Sequence, residues 1–357
     1  MNRLARIILI VGAVIILLLL IIIPFLSQKV VKSIQEHLNN GMEYIQTHIS
    51  NSHNDFGIKK IEYSPFECSG ISDYECNSKS IALYGDDALE KGKDIEYVRF
   101  SNISLRSKDV SDKNRFSLNV STSIEYLSID RLLKDSENNS ILNFFIHNAN
   151  VLLPNKLTCE QNYLHHNIST QDSKIITANN ICFLESSLFN SKIHINSLFY
   201  PDVEKSHILG VLYEIFMAIN GDVNNPKLQH YNIPHVIDSI SITLESKKTF
   251  AEYINSDESL TSEQKQNLQR NFDSNINLIY LSAPMLLSSY FGNQSRDIVR
   301  AIGDVAKGKK KQLLISFASK NNDSSSFKPL KFFRDMNIYE WLKYLGENYN
   351  LVVETND

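Results

Sequence analysis

Glycine is scarce in this chain, at 12 of 357 residues. Phosphate-binding loops need clustered glycines, because only a residue without Cβ lets backbone amides close on a phosphate. Neither G-x-G-x-x-G nor G-x-x-x-x-G-K-[ST] occurs, which excludes the common forms of nucleotide binding. The G-x-S-x-G nucleophile elbow, the H-E-x-x-H zinc helix, the C-x-x-C redox pair and an Asp-x-Asp metal site are also missing. An excess of positive charge is lacking too. The formal net charge is −4, and Arg3 and Arg6 stand before the first apolar run, so the remainder is more acidic still. Such a chain has no broad electrostatic attraction to nucleic acid. No cofactor and no metal site are expected, and the activity is expected to be non-enzymatic.

What the chain does have is one long apolar run. Ile7 to Leu26 contains twenty residues without a charge. As a helix it spans about 30 Å, the thickness of a bilayer core. A cleaved signal would end in small residues, whereas this run exits through Pro24, Phe25 and Leu26. The run predicts an uncleaved single-pass anchor, with residues 1–6 as a cytoplasmic tail. Lys29 and Lys32 after the run offset Arg3 and Arg6 before it, so charge favours an inside N-terminus only slightly.

All four cysteines, Cys68, Cys76, Cys159 and Cys182, follow this run. An even count on one side of a membrane fits two disulfides in an oxidising compartment. Cys68–Cys76 and Cys159–Cys182 are the expected pairs, since each closes a short local loop. Two readings stay open beside this one: zinc held by Cys159, Cys182 and one of His165 and His166, and free buried thiols. With disulfides, the bulk of the chain lies outside the cytoplasm.

Beyond the anchor, Val31, Ile34, Leu38, Met42, Ile45 and Ile49 recur at helical spacing and predict an amphipathic stem helix over 27–50. Lys32, Gln35, Glu36, Asn39, Glu43 and Gln46 fall on its polar side. The stem is expected to pack on the following domain; a coiled-coil seam and a helix on the membrane surface are the other options. From residue 57 the period becomes two. Strands are expected around Ile58–Tyr63, at Ile81 and Leu83, over Tyr97–Leu105 with a bulge near Asn102, and over Phe116–Ile124, where apolar and polar residues alternate strictly. Ile193 and Ile195, Ile240 to Leu244 and Leu313 to Phe317 alternate likewise. Helices are expected over 208–219, over 261–272, which opens with a Thr-x-x-Gln arrangement suited to an N-cap, and over 296–306 and 338–345. Three of the strands precede short apolar segments (127–133, 250–254 and 330–336), which admits a repeated β-rich unit or chance. The mixture predicts an α+β fold with antiparallel sheets, divided as β-rich residues 57–205 and α+β residues 206–357, or joined as one domain.

Ser274 to Ser295 is twenty-two residues without a charge. It is too polar for a second span, so it reads either as buried in the domain or as an apolar groove at Ile279, Leu281, Met285, Leu286, Tyr290 and Phe291 suited to acyl chains. The lysines at 307, 309, 310 and 311 read as a solvated turn, with lipid phosphates as the alternative contact.

This layout resembles the YdgA-like group of N-terminally anchored periplasmic proteins of Gram-negative bacteria. The residues that carry the resemblance are Ile7–Leu26, the stem through Ile49, Gly57 to Tyr63 and Leu351 to Val353. It implies an inner-membrane anchor, a periplasmic ectodomain and no assigned activity. The expectation is an envelope protein that binds lipid or an envelope partner, with a self-assembling scaffold or an enzyme lacking a local motif as alternatives. Mass spectrometry after thiol alkylation without reduction should find no labelled cysteine. Four labelled cysteines would remove the compartment argument and with it the orientation.

Overall fold

A computed structural model of the protein describes residues 31–51, 58–70, 73–86, 93–109, 112, 114–129, 148–167, 174–199, 234–320, 328–329 and 336–357. The expected anchor and the expected helix over 208–219 lie outside the described residues. Among the described residues, no helix is long and apolar enough to cross a membrane.

One antiparallel sheet organises the chain. Its strands are β1 (Ile58–Tyr63), β2 (Glu67–Gly70), β3 (Tyr74–Asp86), β4 (Asp94–Lys108), β5 (Arg115–Tyr126), β6 (Lys156–Asn167), β7 (Lys174–Glu185), β8 (Phe189–Phe199), β9 (Pro234–Ser246), β10 (Gln312–Ser319), β11 (Lys328–Pro329) and β12 (Tyr349–Asn356). The order is β1-β3-β4-β5-β6-β7-β8-β9-β10-β12, with β2 on β3 and β11 on β9. From β3 to β9 each strand therefore pairs with the next in sequence. β8 and β9 pair across the boundary drawn from composition near residue 205, so the residues on either side of it share one sheet.

The register explains why the sheet buries one face. Cys68, Cys76, Leu105, Val120, Cys159, Cys182, Ile193, Ile242, Ile315 and Val353 stand directly opposite one another in a single row. Side chains alternate across a strand, so a shared row means a shared face. Both disulfides, Cys68–Cys76 and Cys159–Cys182, are cross-strand links within this row, with Cα atoms 4.0 and 4.1 Å apart. With both thiol pairs bonded, the zinc and free-thiol readings have no thiolate to use. The strict alternation of β5 gives Phe116, Leu118, Val120, Thr122 and Ile124 to the buried face, as its period requires. In β4 the register slips between Ser101 and Ser104, and Asn102 adopts φ 54°, which places the expected bulge.

Helices cover this face at both ends. α1 (Val31–Asn51) lays Ile34, Leu38 and Met42 on the core of β1 to β6, so its apolar stripe is spent within the chain. Part of its polar side also serves the sheet. Asn39 accepts from Phe66 N at 2.7 Å and donates to Phe66 O, Gln35 accepts from Cys68 N, and Gln46 donates to Ile61 O. These amides satisfy backbone groups around β1 and β2 that would otherwise be an open edge.

The short α2 (Ala149–Leu152) precedes β6. Between β9 and β10 come α3 (Phe250–Ser256), α4 (Ser262–Phe291) and α5 (Gln294–Ala306), and α6 (Ile338–Asn348) leads into β12. α5 and α6 bury Ile298, Ala301, Val305 and Tyr344 against Leu313, Ile315 and Phe317. Tyr349 donates its hydroxyl to Ile237 O at 2.6 Å, tying β12 to β9 across β10. Phe250 to Ile254, the second of the short apolar segments, is helical and stacks Phe250 on Phe272 with ring centroids 4.6 Å apart, while most of the other two segments lies outside the described residues.

His235 in β9 is buried and stacks on Phe199 at 4.4 Å. Burial pushes its imidazole down to about 4. The unfolded ring takes up its proton at about 6.5, so its contribution is whole above that pH and is lost as pH falls towards 4. The expected loss over this window is about 3 kcal/mol. Urea unfolding at pH 7, 5.5 and 4 should show the decline, and His235→Leu should flatten that slope.

Candidate functional site

The uncharged stretch is the second half of a helix. Thr261 caps α4 by accepting from Gln264 N at 3.3 Å, while the Gln264 side chain accepts from Thr261 N at 2.8 Å. This capping box was legible in the sequence, but the helix runs on to Phe291 rather than ending at Phe272. At about 1.5 Å per residue it is about 45 Å long. Pro284 sits inside it and has no N–H to offer the Tyr280 carbonyl four residues back.

α4 crosses its neighbours at two glycines. A Cβ on Gly303 of α5 would overlap the end of the Tyr280 ring, and one on Gly346 of α6 would overlap the Tyr290 carbonyl. At Gly346 the atom met is backbone, so close approach requires glycine there, whereas at Gly303 it is the end of the Tyr280 side chain. The crossing at Gly303 seats the Tyr280 ring on α5, where its hydroxyl donates to Asp304 Oδ1 at 3.1 Å. Burial, followed by the hydrogen bond to Asp304, raises the Tyr280 phenol to about 12, so it stays a donor at physiological pH.

Beside this crossing lies a cleft of about 680 Å³ lined by Tyr280, Leu281, Pro284 and Met285 from α4 and by Arg296, Asp297, Arg300 and Asp304 from α5, with Lys309 beyond. Leu281, Met285 and Leu286 are 73 %, 78 % and 73 % exposed, an unusual state for three large apolar side chains on one helix. Arg296 and Arg300, one turn apart, share one flank of α5. Neither guanidinium has an ion-pair partner among the described residues. Asp304 is engaged by Tyr280 and by Lys309 at 3.5 Å. Asp297 stands in the first turn of α5, where the helix dipole favours a carboxylate.

The six residues read from sequence as a groove do not stay together. Leu281 and Met285 line the cleft, and Leu286 stands on the exposed ridge beside it. Ile279 packs with the α3–α4 core, while Phe291 joins the sheet-side core and meets Phe317 at 5.9 Å. Tyr290 is half-buried where its carbonyl faces Gly346. The arginines were not singled out from sequence, although their four-residue spacing on a short helix is a readable signal. In the lysine run, Lys307 donates to Asn277 Oδ1 at 2.8 Å and Lys310 pairs with Asp357 at 2.6 Å, so only Lys309 faces the cleft. His165, the first of the adjacent histidines, is buried in the packed face of β6.

The arrangement can accept an anion at the two arginines and an apolar chain along Leu281, Pro284 and Met285. Two independent comparisons bring no relative to this geometry: no protein-family model matches the chain, and no curated protein matches it.

Gly346→Ala should destabilise the protein by about 1–3 kcal/mol, because the new methyl overlaps the Tyr290 backbone carbonyl of α4. Thermal unfolding measures this, and Gly303→Ala, whose methyl meets only the end of the Tyr280 side chain, should cost less.

Proposed function

We propose that this is a non-enzymatic, membrane-anchored envelope protein of YdgA-like layout whose α4–α5 cleft binds an anionic phospholipid or related amphiphile. The observation that carries the reading is that exposed Leu281 and Met285 line the same cleft as Arg296 and Arg300, which have no ion-pair partner among the described residues. An arginine fork suits a phosphate, and an apolar ridge suits an acyl chain while offering it no directional polar contact. The two disulfides support an oxidising compartment, and the apolar run Ile7–Leu26 supports an anchor that holds the cleft near lipid. Self-assembly through the stem is the weaker reading, since α1 buries Ile34, Leu38 and Met42 against the sheet of its own chain.

Full-length protein extracted in mild detergent should carry anionic phospholipid, visible by native mass spectrometry. Arg296→Gln with Arg300→Gln should lower retention about tenfold, the size expected for losing a charge-assisted contact. Both side chains are exposed, so the melting temperature should hold. Retention of zwitterionic lipid alone, or of anionic lipid equally by the variant, would sink the proposal.

A further inference from the structure

The second face of the sheet carries chemistry that lipid binding leaves unused. Where the covered face is a continuous apolar row, the opposite face of β5 to β10 is polar with little net charge. Ser117, Asn162, Asn179, Asn196, Ser239 and Ala318 form one row across it. Asn179 donates to Asn196 Oδ1 at 2.9 Å, and Asn196 donates to Ser239 Oγ at 3.0 Å. This ladder fixes its side chains before any ligand arrives.

Further along the strands the same face holds a shallow hollow of about 590 Å³. Thr158, Phe183, Lys192 and Thr243 form one row of its floor, and Glu185, Asn190, Glu245 and Gln312 form the next. It crosses five strands, roughly 19 Å at the usual inter-strand spacing. Three features define its guest. The first is Phe183, a large apolar ring 38 % exposed amid hydroxyls and amides, with Lys192 Nζ 5.7 Å from its centroid. The second is Asn190, an amide on the floor of the hollow whose Oδ1 accepts no hydrogen bond among the described residues. The third is charge balance: Lys192 and Lys247 are matched by Glu185 and Glu245, so a phosphate or sulfate gains nothing here.

We infer that this hollow is a binding site for a neutral oligosaccharide. A sugar presents a face of C–H bonds, slightly positive, to the negative face of an aromatic ring. It also presents hydroxyls that donate and accept, which matches Thr158, Thr243, Asn190 and Gln312. A lipid tail would leave those polar groups unpaired, and a nucleic acid would bring phosphates to a hollow without surplus positive charge. The site is separate from the α4–α5 cleft and does not depend on the lipid reading.

The test is calorimetric titration of the full-length protein, held in a sugar-free zwitterionic detergent, with maltohexaose, cellohexaose and chitohexaose at millimolar concentration. At least one should bind saturably. Phe183→Ala and Asn190→Ala should each weaken that binding about tenfold, while Arg296→Gln with Arg300→Gln leaves it unchanged. Thr243→Arg, which fills the hollow without deleting a packed side chain, decides the matter if the Phe183 variant fails to fold. No binding by any of the three sugars, or binding that survives Thr243→Arg, overturns the inference.

Discussion

The structure depends on one constraint: the strands keep their apolar side chains in a common register, so that a single face of a wide antiparallel sheet is dry. The row from Cys68 through Val120 and Cys159 to Ile315 and Val353 is the clearest line of it. A slip of one residue in any strand would send its whole apolar set to the wet face. The two disulfides lie in that same row, where they join β2 to β3 and β6 to β7 and lock the register at two places. The bulge at Asn102 absorbs an extra residue in β4 so that the rows on either side still agree.

A one-sided sheet must be covered, and different elements cover its two ends. α1 covers the first, and its amides occupy backbone groups around the neighbouring edge. α5 and α6 cover the second, with α4 lying across them by way of Gly303 and Gly346. Because α4 rests on other helices for much of its length, part of its apolar surface has no sheet beneath it. That placement leaves Leu281, Met285 and Leu286 outward and puts Arg296 and Arg300 in the cleft that Leu281 and Met285 line. The candidate site is thus a by-product of how the second end is covered.

The candidate sites differ in how far the chain reveals them. An uncharged run over 274–295 signals an unusual surface, and Leu281 and Met285 were legible as part of it. Which of its apolar residues face out was not, because a helix facing two neighbours buries two faces, and periodicity reports only one. Ile279 and Phe291 were drawn into separate cores for that reason. The hollow around Phe183 left no signal at all. Its residues come from β6 to β10, far apart along the chain, and meet only through strand register.

The sequence by itself determined the local matters: the alternation that makes β5 a one-faced strand, the box that caps α4 at Thr261, the bulge at Asn102 and the stripe that makes α1 amphipathic. Each depends on neighbours within a turn or a few residues, which periodicity and capping chemistry can see. Tertiary structure alone decided that Gln35, Asn39 and Gln46 serve the sheet, and that two arginines share a cleft with exposed apolar side chains. It also joined the residues on either side of position 205 in one sheet. Those outcomes rest on pairing between distant segments, and no local pattern in a chain encodes which distant partner a strand edge or helix face will meet.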